Sequence, residues 1–353
     1  MRQMNKQLLE RCCDPATREM VELTGMDTSI NVPAVDAVLV SVSGRRYPVV
    51  RGIPRFVFTQ DQSQIQTSVS FGYKWKKRDT YDSPASKAHA CQWYLTKYGF
   101  DSLREWVTFL ETHEAVLDVG CGSGFSSSLF LDSPWWTGRT AWVGIDISEA
   151  IDVAFERLAH VPNTHFVQGD ALALPFKSET FDAIFSEGVL HHTPSTRDAI
   201  LEAARVLQPA GEFHFYVYRL KGPIREFTDD FVRAQIANLT DEEAWDRMRS
   251  LTKLGEALVK LQTSITVEDV PMLGIKAGTY DVQRLLYNNF AKLFWNAGLS
   301  FEENVHINFD WYRPVYAHRQ TAEEVRAWCA AAGLQISRLY EDDSGITVRA
   351  TKA

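Results

Sequence analysis

A glycine-rich turn after an apolar run is the segment of this sequence best suited to hold a ligand. Residues 116–119 read Val-Leu-Asp-Val, and residues 120–124 read Gly-Cys-Gly-Ser-Gly. Glycines let a backbone approach a ligand closely, and the N–H groups at the start of the helix expected from Phe125 favour an anionic group nearby. In the dinucleotide fingerprint the third glycine comes one residue later. Taken alone, this turn is also compatible with a purely structural role.

Polar residues also stand where three further strands of the predicted sheet end. Asp146 ends the second strand, Asp170 follows the third, and Glu187, His191 and His192 lie at or just after the end of the fourth. Open α/β sheets bind ligands at the carboxyl ends of their parallel strands, and an acid after the second strand can accept both hydroxyls of a ribose. The four segments together predict one ligand site along this edge.

Short apolar strands alternate with amphipathic helices from Ser102 onwards, which predicts a parallel sheet covered on both faces. The strands are expected at 115–119, 141–145, 164–168, 181–185 and 212–218. Ser148 and Thr321 are expected to cap helices. After Arg219 about a hundred residues carry helical patterns and few strand signals, a stretch longer than ordinary loops allow. Its clearest helix is expected over 282–297, ending at Gly298.

Composition limits the kinds of partner. The 353 residues are 45% apolar and 23% charged, and 45 acidic residues outweigh 37 basic ones, which disfavours binding to nucleic acid or to an anionic membrane. No apolar run is long enough to cross a bilayer. Five scattered cysteines suit a reducing, cytoplasmic setting rather than a disulfide framework. Composition leaves open whether the protein forms a homo-oligomer.

With these motifs on successive strands, the sequence resembles the class I S-adenosylmethionine (SAM)-dependent methyltransferases. The resemblance covers roughly residues 100–218 and, more weakly, 320–353. It implies a Rossmann-like seven-stranded α/β sheet with a helical cap insertion, and SAM as the co-substrate. Gln208-Pro209-Ala210-Gly211 departs from the family, which commonly has two glycines after the proline.

The resemblance also assigns roles. Gly120 and Gly122 would hold the methionine part of SAM, Asp146 the ribose, and Asp170 with the Ala171 N–H the adenine edge. Asp118 would support the loop or the methionine ammonium. The alternative for Asp118 and Asp170 is an ordinary structural role, in which the carboxylate only hydrogen-bonds within a turn or helix cap. The cofactor-binding set expected on this basis also includes Cys121, Gly124, Ile147, Ser186, Tyr73 and Trp75.

The amino-terminal unit, residues 1–58, resembles the small Trm112-like zinc-ribbon module through residues 43–56. Val40 and Ser43 stand where that module has zinc-binding cysteines, and the adjacent Cys12 and Cys13 cannot supply four tetrahedral ligands. We therefore expect a degenerate module without metal. Residues 59–101 are expected to form a linker, starting with the polar stretch 60–64, and an amino-terminal lid. The segment 71–75 resembles the lid of related small-molecule methyltransferases; docking of its aromatic residues onto the sheet edge is the alternative.

The remaining boundaries are a SAM-binding core over 102–218, a cap over 219–319 and completion of the core over 320–353. His191, His192 and Glu187 are the candidate catalytic residues, because a histidine or carboxylate can take a proton from the acceptor; a structural role for the histidines is the alternative. The cap segment 306–318 resembles the closing part of caps in related methyltransferases. Its acceptor-pocket candidates are His306, Asp310, Trp311, Tyr312 and Tyr316.

The expected activity is methyl transfer to a small organic acceptor through O, N or C. Two rivals stay open: an enzyme that rearranges or cyclises its substrate on the same cofactor without losing the methyl group, and a non-catalytic partner protein that kept the SAM fold. A nicotinamide dehydrogenase is disfavoured by the glycine spacing.

Overall fold

The first part of the chain forms a small antiparallel sheet. The structure is a computed structural model that describes residues 6–25 and 35–353, so residues 1–5 and 26–34 of the expected module lie outside it. Helix α1 (Lys6–Arg11) comes first among the elements that the structure describes. Four strands follow, and each is hydrogen-bonded to the next: β1 (Val21–Thr24), β2 (Val35–Ser41), β3 (Arg46–Val50) and β4 (Ile53–Pro54). The expected β unit is confirmed, whereas its kinship with the Trm112-like ribbon stays a prediction.

A seven-stranded sheet forms the centre of the molecule. The remaining strands are β5 (Ala115–Val119), β6 (Ala141–Asp146), β7 (Thr164–Gln168), β8 (Phe181–Glu187), β9 (Leu207–Tyr218), β10 (Ser264–Val267), β11 (Gly278–Asp281), β12 (Leu334–Glu341) and β13 (Gly345–Lys352). Their order in the central sheet is β12-β13-β9-β8-β5-β6-β7. Strands β5 to β9 run parallel, and β13 is antiparallel to both of its neighbours. The expected Rossmann-like fold is confirmed.

Helices cover both faces of this sheet and build the cap. They are α2 (Gln62–Lys76), α3 (Pro84–Tyr98), α4 (Leu103–Leu110), α5 (Phe125–Leu131), α6 (Ala150–Leu158), α7 (Thr196–Val206), α8 (Pro223–Ile236), α9 (Asp241–Lys260), α10 (Val282–Asn289), α11 (Phe301–Tyr312) and α12 (Ala322–Ala331). Thr321 and Glu324 form the expected capping box of α12. None of the helices that the structure describes combines the length and apolarity needed to span a membrane.

The module continues the central sheet at its β7 edge. The Phe56 N–H donates to the Gln168 carbonyl (2.7 Å), and Arg55 pairs with Gln168 in a parallel bridge. On the other side of the contact the Cys13 N–H donates to the Pro175 carbonyl (3.0 Å). An unpaired sheet edge is a template for aggregation, and here the chain's own first segment covers it.

Two local expectations were wrong. The polar stretch 60–64 is not a linker throughout, because Asp61 caps α2 by accepting from the Ser63 and Gln64 N–H groups. The helix expected over 282–297 ends at Asn289. Beyond it, side-chain amides replace the helical hydrogen bonds: Asn308 accepts from the Phe294 N–H (3.0 Å) and donates to its carbonyl (3.1 Å).

We expect the purified protein to carry no stoichiometric zinc. The Cys12 side chain is buried in the main apolar core, and burial raises the pKa of its thiol, so the thiolate that zinc requires is disfavoured. In the parts of the chain that the structure describes, no group of three or more His, Cys, Asp or Glu side chains could hold a metal ion. Elemental analysis of protein purified without chelator measures this directly, and about one zinc per chain would contradict it.

Candidate active site

A cavity of about 390 Å³ opens where the strands β5 to β8 end. Its floor is formed by the glycine turn and the strand ends, and α2 and α11 form the opposite wall. Of the site residues expected from the sequence, ten line it: Gly120, Asp146, Ile147, Asp170, Ala171, Glu187, His192, Trp75, His306 and Asp310. Residues from both the predicted core and the predicted cap therefore meet around one space.

The glycine turn passes too close to its neighbours for side chains. Gly120 has φ +76°, and a Cβ there would lie 2.3 Å from Val189 Cγ1. Gly122 has φ +54°, and its Cβ would lie 2.8 Å from the Trp75 indole nitrogen on α2. Since such contacts exclude any larger residue, both glycines are required by close packing as well as by backbone conformation.

Asp146 links the glycine turn to the end of β6. Its carboxylate accepts from the Gly122 N–H (2.9 Å) and from the N–H and hydroxyl of Ser148 (2.8 and 2.6 Å). Burial raises the pKa of this carboxyl, although the hydrogen bonds oppose the shift. A cationic ligand, or one that offers hydroxyl donors, would relieve the cost of keeping it ionised.

Asp170 lies at the far end of the same wall. Its carboxylate accepts from the Gln64 side-chain amide on α2 (2.7 Å) and from the Leu172 N–H (2.9 Å). The sequence did not single out Gln64. Asp170 is the residue expected to read the adenine edge, and one of its carboxylate oxygens already accepts from the Gln64 amide. At this point the site therefore presents an amide donor next to a carboxylate acceptor.

Six residues expected to bind the cofactor do not line the cavity: Gly122, which packs against Trp75, and five that lie behind the cavity wall. Asp118 accepts from the Ser127 hydroxyl (2.5 Å), and Ser186 donates to the Val119 carbonyl (3.0 Å). The others are packed into apolar surroundings: Cys121 against Gly144, Gly124 against Ala154, and Tyr73 against Trp245 and Phe309. These contacts hold the turn and the neighbouring helices in place.

Of the two neighbouring histidines only His192 reaches the cavity. Its Nδ1 lies 2.6 Å from the Tyr316 carbonyl oxygen, and because a carbonyl can only accept, Nδ1 carries the proton. Nε2 is then a lone-pair acceptor, and it is buried without a partner in the described structure. Burial lowers the pKa of His192 to about 4, so the ring is neutral at pH 7.

His191 is a packing residue by contrast. Its ring lies 3.7 Å from that of Tyr218, centroid to centroid, and does not line the cavity. Glu187 does line it, and its carboxyl accepts from the Tyr98 hydroxyl (2.5 Å). Burial raises the pKa of Glu187 to about 8, so at neutral pH this carboxyl is mostly protonated and can donate a hydrogen bond.

The cap side of the cavity is held by a buried ion pair. Lys74 of α2 pairs with Asp310 of α11, and the Tyr218 hydroxyl donates to the same carboxylate (3.3 Å). Burial lowers the pKa of the Lys74 ammonium. Burial alone would raise the pKa of the Asp310 carboxyl, but the neighbouring Lys74 holds that pKa below its usual range. His306 packs beside Trp75 and shares a hydrogen bond with the Thr80 hydroxyl (2.8 Å).

Three of the expected acceptor-pocket residues do not line the cavity. Trp311 Nε1 and the Tyr312 hydroxyl both donate to the buried Asp229 carboxylate (2.8 and 3.0 Å), which also pairs with Arg225. The Tyr316 hydroxyl donates to Asp61 (2.7 Å). The helical period explains the difference, because Asp310 and Trp311 are neighbours in sequence but project about 100° apart around α11.

We expect Trp311→Phe to destabilise the protein by about 1–3 kcal/mol, because it leaves the buried Asp229 carboxylate short of one donor. Thermal unfolding measures the loss, and SAM affinity should stay within about two-fold. Trp135→Phe, at an exposed tryptophan, is the matched control. An unchanged melting temperature with a raised KM for the acceptor would instead place Trp311 in the acceptor site.

Several cavity residues were missed from the sequence. Lys74 lies inside the aromatic segment 71–75, which could have pointed to it. Others come from α3, β9, α11 and the segment after α10, and had no signal of their own: Trp93, Tyr94, Tyr216, Tyr218, Lys292 and Glu303. Burial of lysines could not be read from sequence, because charged residues are mostly exposed unless a partner is found.

Comparison with known proteins covers the strands at whose ends this cavity lies. Residues 117–215 match the family model of a methyltransferase domain. The phthiotriol/phenolphthiotriol dimycocerosates methyltransferase of Mycobacterium leprae is 27% identical over 128 residues, which are 36% of this chain and 46% of that protein. An uncharacterized methyltransferase of Bacillus subtilis is 38% identical over 101 residues, 28% of this chain and 38% of that protein. The chain thus spans less than half the length of these relatives.

Among solved structures, a SAM-dependent methyltransferase from Aquifex aeolicus is similar, with 14% identity, a TM-score of 0.36 and coverage of 68% of this chain and 82% of that one. The matched segment 117–215 runs from β5 through the glycine turn to β9. The methyltransferase domain expected from the sequence is confirmed for this segment by the match to the family model.

Proposed function

We propose that this protein transfers a methyl group from SAM to a small organic acceptor held beneath the cap. The observation that carries the proposal is the continuity of the cavity: Asp146 and Asp170 line one part of it, and aromatic side chains from β9, α3 and the cap line the rest. One enclosed space that joins a nucleoside-binding edge to an apolar compartment suits a co-substrate and an acceptor side by side.

The residues present fit SAM. Gly120 lines the cavity at the end of β5, and the buried Asp146 carboxylate favours hydroxyl donors and positive charge. Asp170 and the Ala171 N–H would hold the adenine, with Gln64 yielding the carboxylate oxygen that it now occupies. When bound, SAM supplies a methyl group that its sulfonium already activates.

The protein's main task is then to align the acceptor and exclude water. Trp75 and the Lys74–Asp310 pair close the α2 side of the cavity. His192 Nε2, an unpartnered lone-pair acceptor at neutral pH, would take the proton from an acceptor hydroxyl or amine. Glu187, mostly protonated at this pH, would donate a hydrogen bond rather than act as the base.

The test is release of S-adenosylhomocysteine (SAH). Protein and SAM are incubated with a panel of phenols, amines and carbon acids, and mass spectrometry follows SAH and the methylated product. Release that depends on an added acceptor supports the proposal. An acceptor consumed without SAH release would indicate the non-methylating rearrangement. SAM binding with no consumption of any acceptor would indicate the non-catalytic partner, and absence of SAM binding would overturn the proposal.

A further inference from the structure

A second lysine lines the same cavity, and its charge has no carboxylate partner. Lys292 lies in the segment between α10 and α11 and is 7% exposed. Within residues 6–25 and 35–353, no carboxylate lies within 4 Å of the Lys292 ammonium nitrogen Nζ, and Nζ makes no hydrogen bond. The ammonium lies over the Trp311 ring, 4.5 Å from the ring centroid.

The carboxylates of this wall are already engaged. Asp310 pairs with Lys74 and accepts from Tyr218. Glu303 accepts from the hydroxyls of Ser83 and Ser86 and from the Ser300 N–H. Asp310 and Asp229 attract the Lys292 charge without forming an ion pair with it, so an anion bound in the cavity would be its direct partner. A buried unpaired ammonium is costly and is usually paired or neutralised.

The position of Lys292 is fixed by its backbone. Its N–H donates to the Tyr312 hydroxyl (2.9 Å), and that hydroxyl also donates to the buried Asp229 (3.0 Å). Tyr312, which the sequence placed in the acceptor pocket itself, thus holds the segment from behind. This hydrogen bond fixes the backbone from which the Lys292 side chain reaches the cavity.

We propose that Lys292 binds an anionic oxygen group of the acceptor, and that the acceptor is an aromatic acid. This inference rests on the proposed function. The aromatic rings of Trp93, Tyr216, Tyr218 and Phe294 line the same compartment and suit a flat ring. Pairing with Lys292 would make the carboxylate the anchor of the acceptor, so that a different group of the acceptor is methylated. Burial lowers the pKa of Lys292 to about 7, and an anion beside it would restore the charged form.

The experiment compares matched ligands on SAH-saturated protein by calorimetry. The probes are 4-hydroxybenzoate with 4-hydroxybenzamide, and 4-hydroxycinnamate with its amide, so each pair differs in charge and little in shape. Wild type should bind at least one carboxylate roughly ten-fold more tightly than its amide. Lys292→Met should abolish that preference, and Lys292→Arg should keep most of it.

Two controls separate recognition from folding. Lys253→Met, at an exposed lysine of α9, should leave the preference unchanged. The melting temperature of Lys292→Met should be equal to or above that of wild type, because the variant removes an unpaired buried charge. If no carboxylate is preferred by wild type, or if Lys292→Met keeps the preference, Lys292 does not recognise the acceptor. SAH release in the panel assay is independent of this result, so a failure of methyl transfer and a failure of anion recognition can be told apart.

Discussion

Asp146→Ala is expected to weaken SAM binding by roughly 100-fold, or about 3 kcal/mol, while the protein stays folded. The loss has two physical sources. A ribose would lose a charged acceptor for its hydroxyls, and the Gly122 N–H of the glycine turn would lose the partner that now holds it at 2.9 Å. Calorimetric titration with SAM measures the affinity, and circular dichroism checks the fold.

Glu149→Gln is the matched control for this change. Glu149 lies three residues further along the chain, is exposed, and pairs with Lys76 on the surface. Its substitution should leave SAM affinity within about two-fold, because exposed ion pairs contribute little. Unchanged SAM affinity in folded Asp146→Ala would contradict the assignment of the ribose to this carboxylate.

His192→Asn is expected to lower kcat on a hydroxyl acceptor by about 10²–10⁴-fold with little change in SAM affinity. Asparagine can still donate to the Tyr316 carbonyl through its amide, as His192 Nδ1 does, but it has no counterpart of Nε2. His191→Gln, at the histidine packed on Tyr218, should affect the melting temperature more than kcat.

The pH profile gives a second test of His192. A base acts in its deprotonated form, and burial lowers the pKa of this histidine to about 4. The rate on a neutral acceptor should therefore show no His192 titration between about pH 5 and 7 and should fall only as the pH drops towards 4, whereas an ordinary histidine would already be protonated near pH 6. A drop in rate centred near pH 6.5 that His192→Asn removes would show an unperturbed base instead.

The sequence predicted the strands well because each is a short apolar run with clear punctuation. The first and third predicted strands, 115–119 and 164–168, coincide with β5 and β7. The polar residues at the strand ends were also found, because parallel strands deliver them to one edge whatever surrounds them. The spacing of apolar residues within one strand or helix depends only on nearby residues, so it can be read directly from the sequence.

The cap was harder because its contacts join distant segments. Lys74 and Asp310 are 236 residues apart, and nothing local marks either as one half of a buried pair. The aromatic residues Trp311 and Tyr312 suggested a pocket wall, but the buried Asp229 holds both of them behind it. Likewise, the Asn308 side chain hydrogen-bonds to the N–H and the carbonyl of Phe294, which the sequence pattern had placed inside a helix. Such tertiary hydrogen bonds override local propensity.

The docking of the module onto the β7 edge has a consequence for how this protein is made. The module's buried side chains Leu39, Tyr47, Val49 and Phe56 share one apolar cluster with Phe176. Phe176 follows Phe56 by 120 positions, so at about 5–20 residues per second the ribosome needs roughly 6–24 s to deliver it. During that interval the apolar face of the nascent module, which is buried in the finished protein, is exposed to water and to any chaperone at the ribosome exit tunnel.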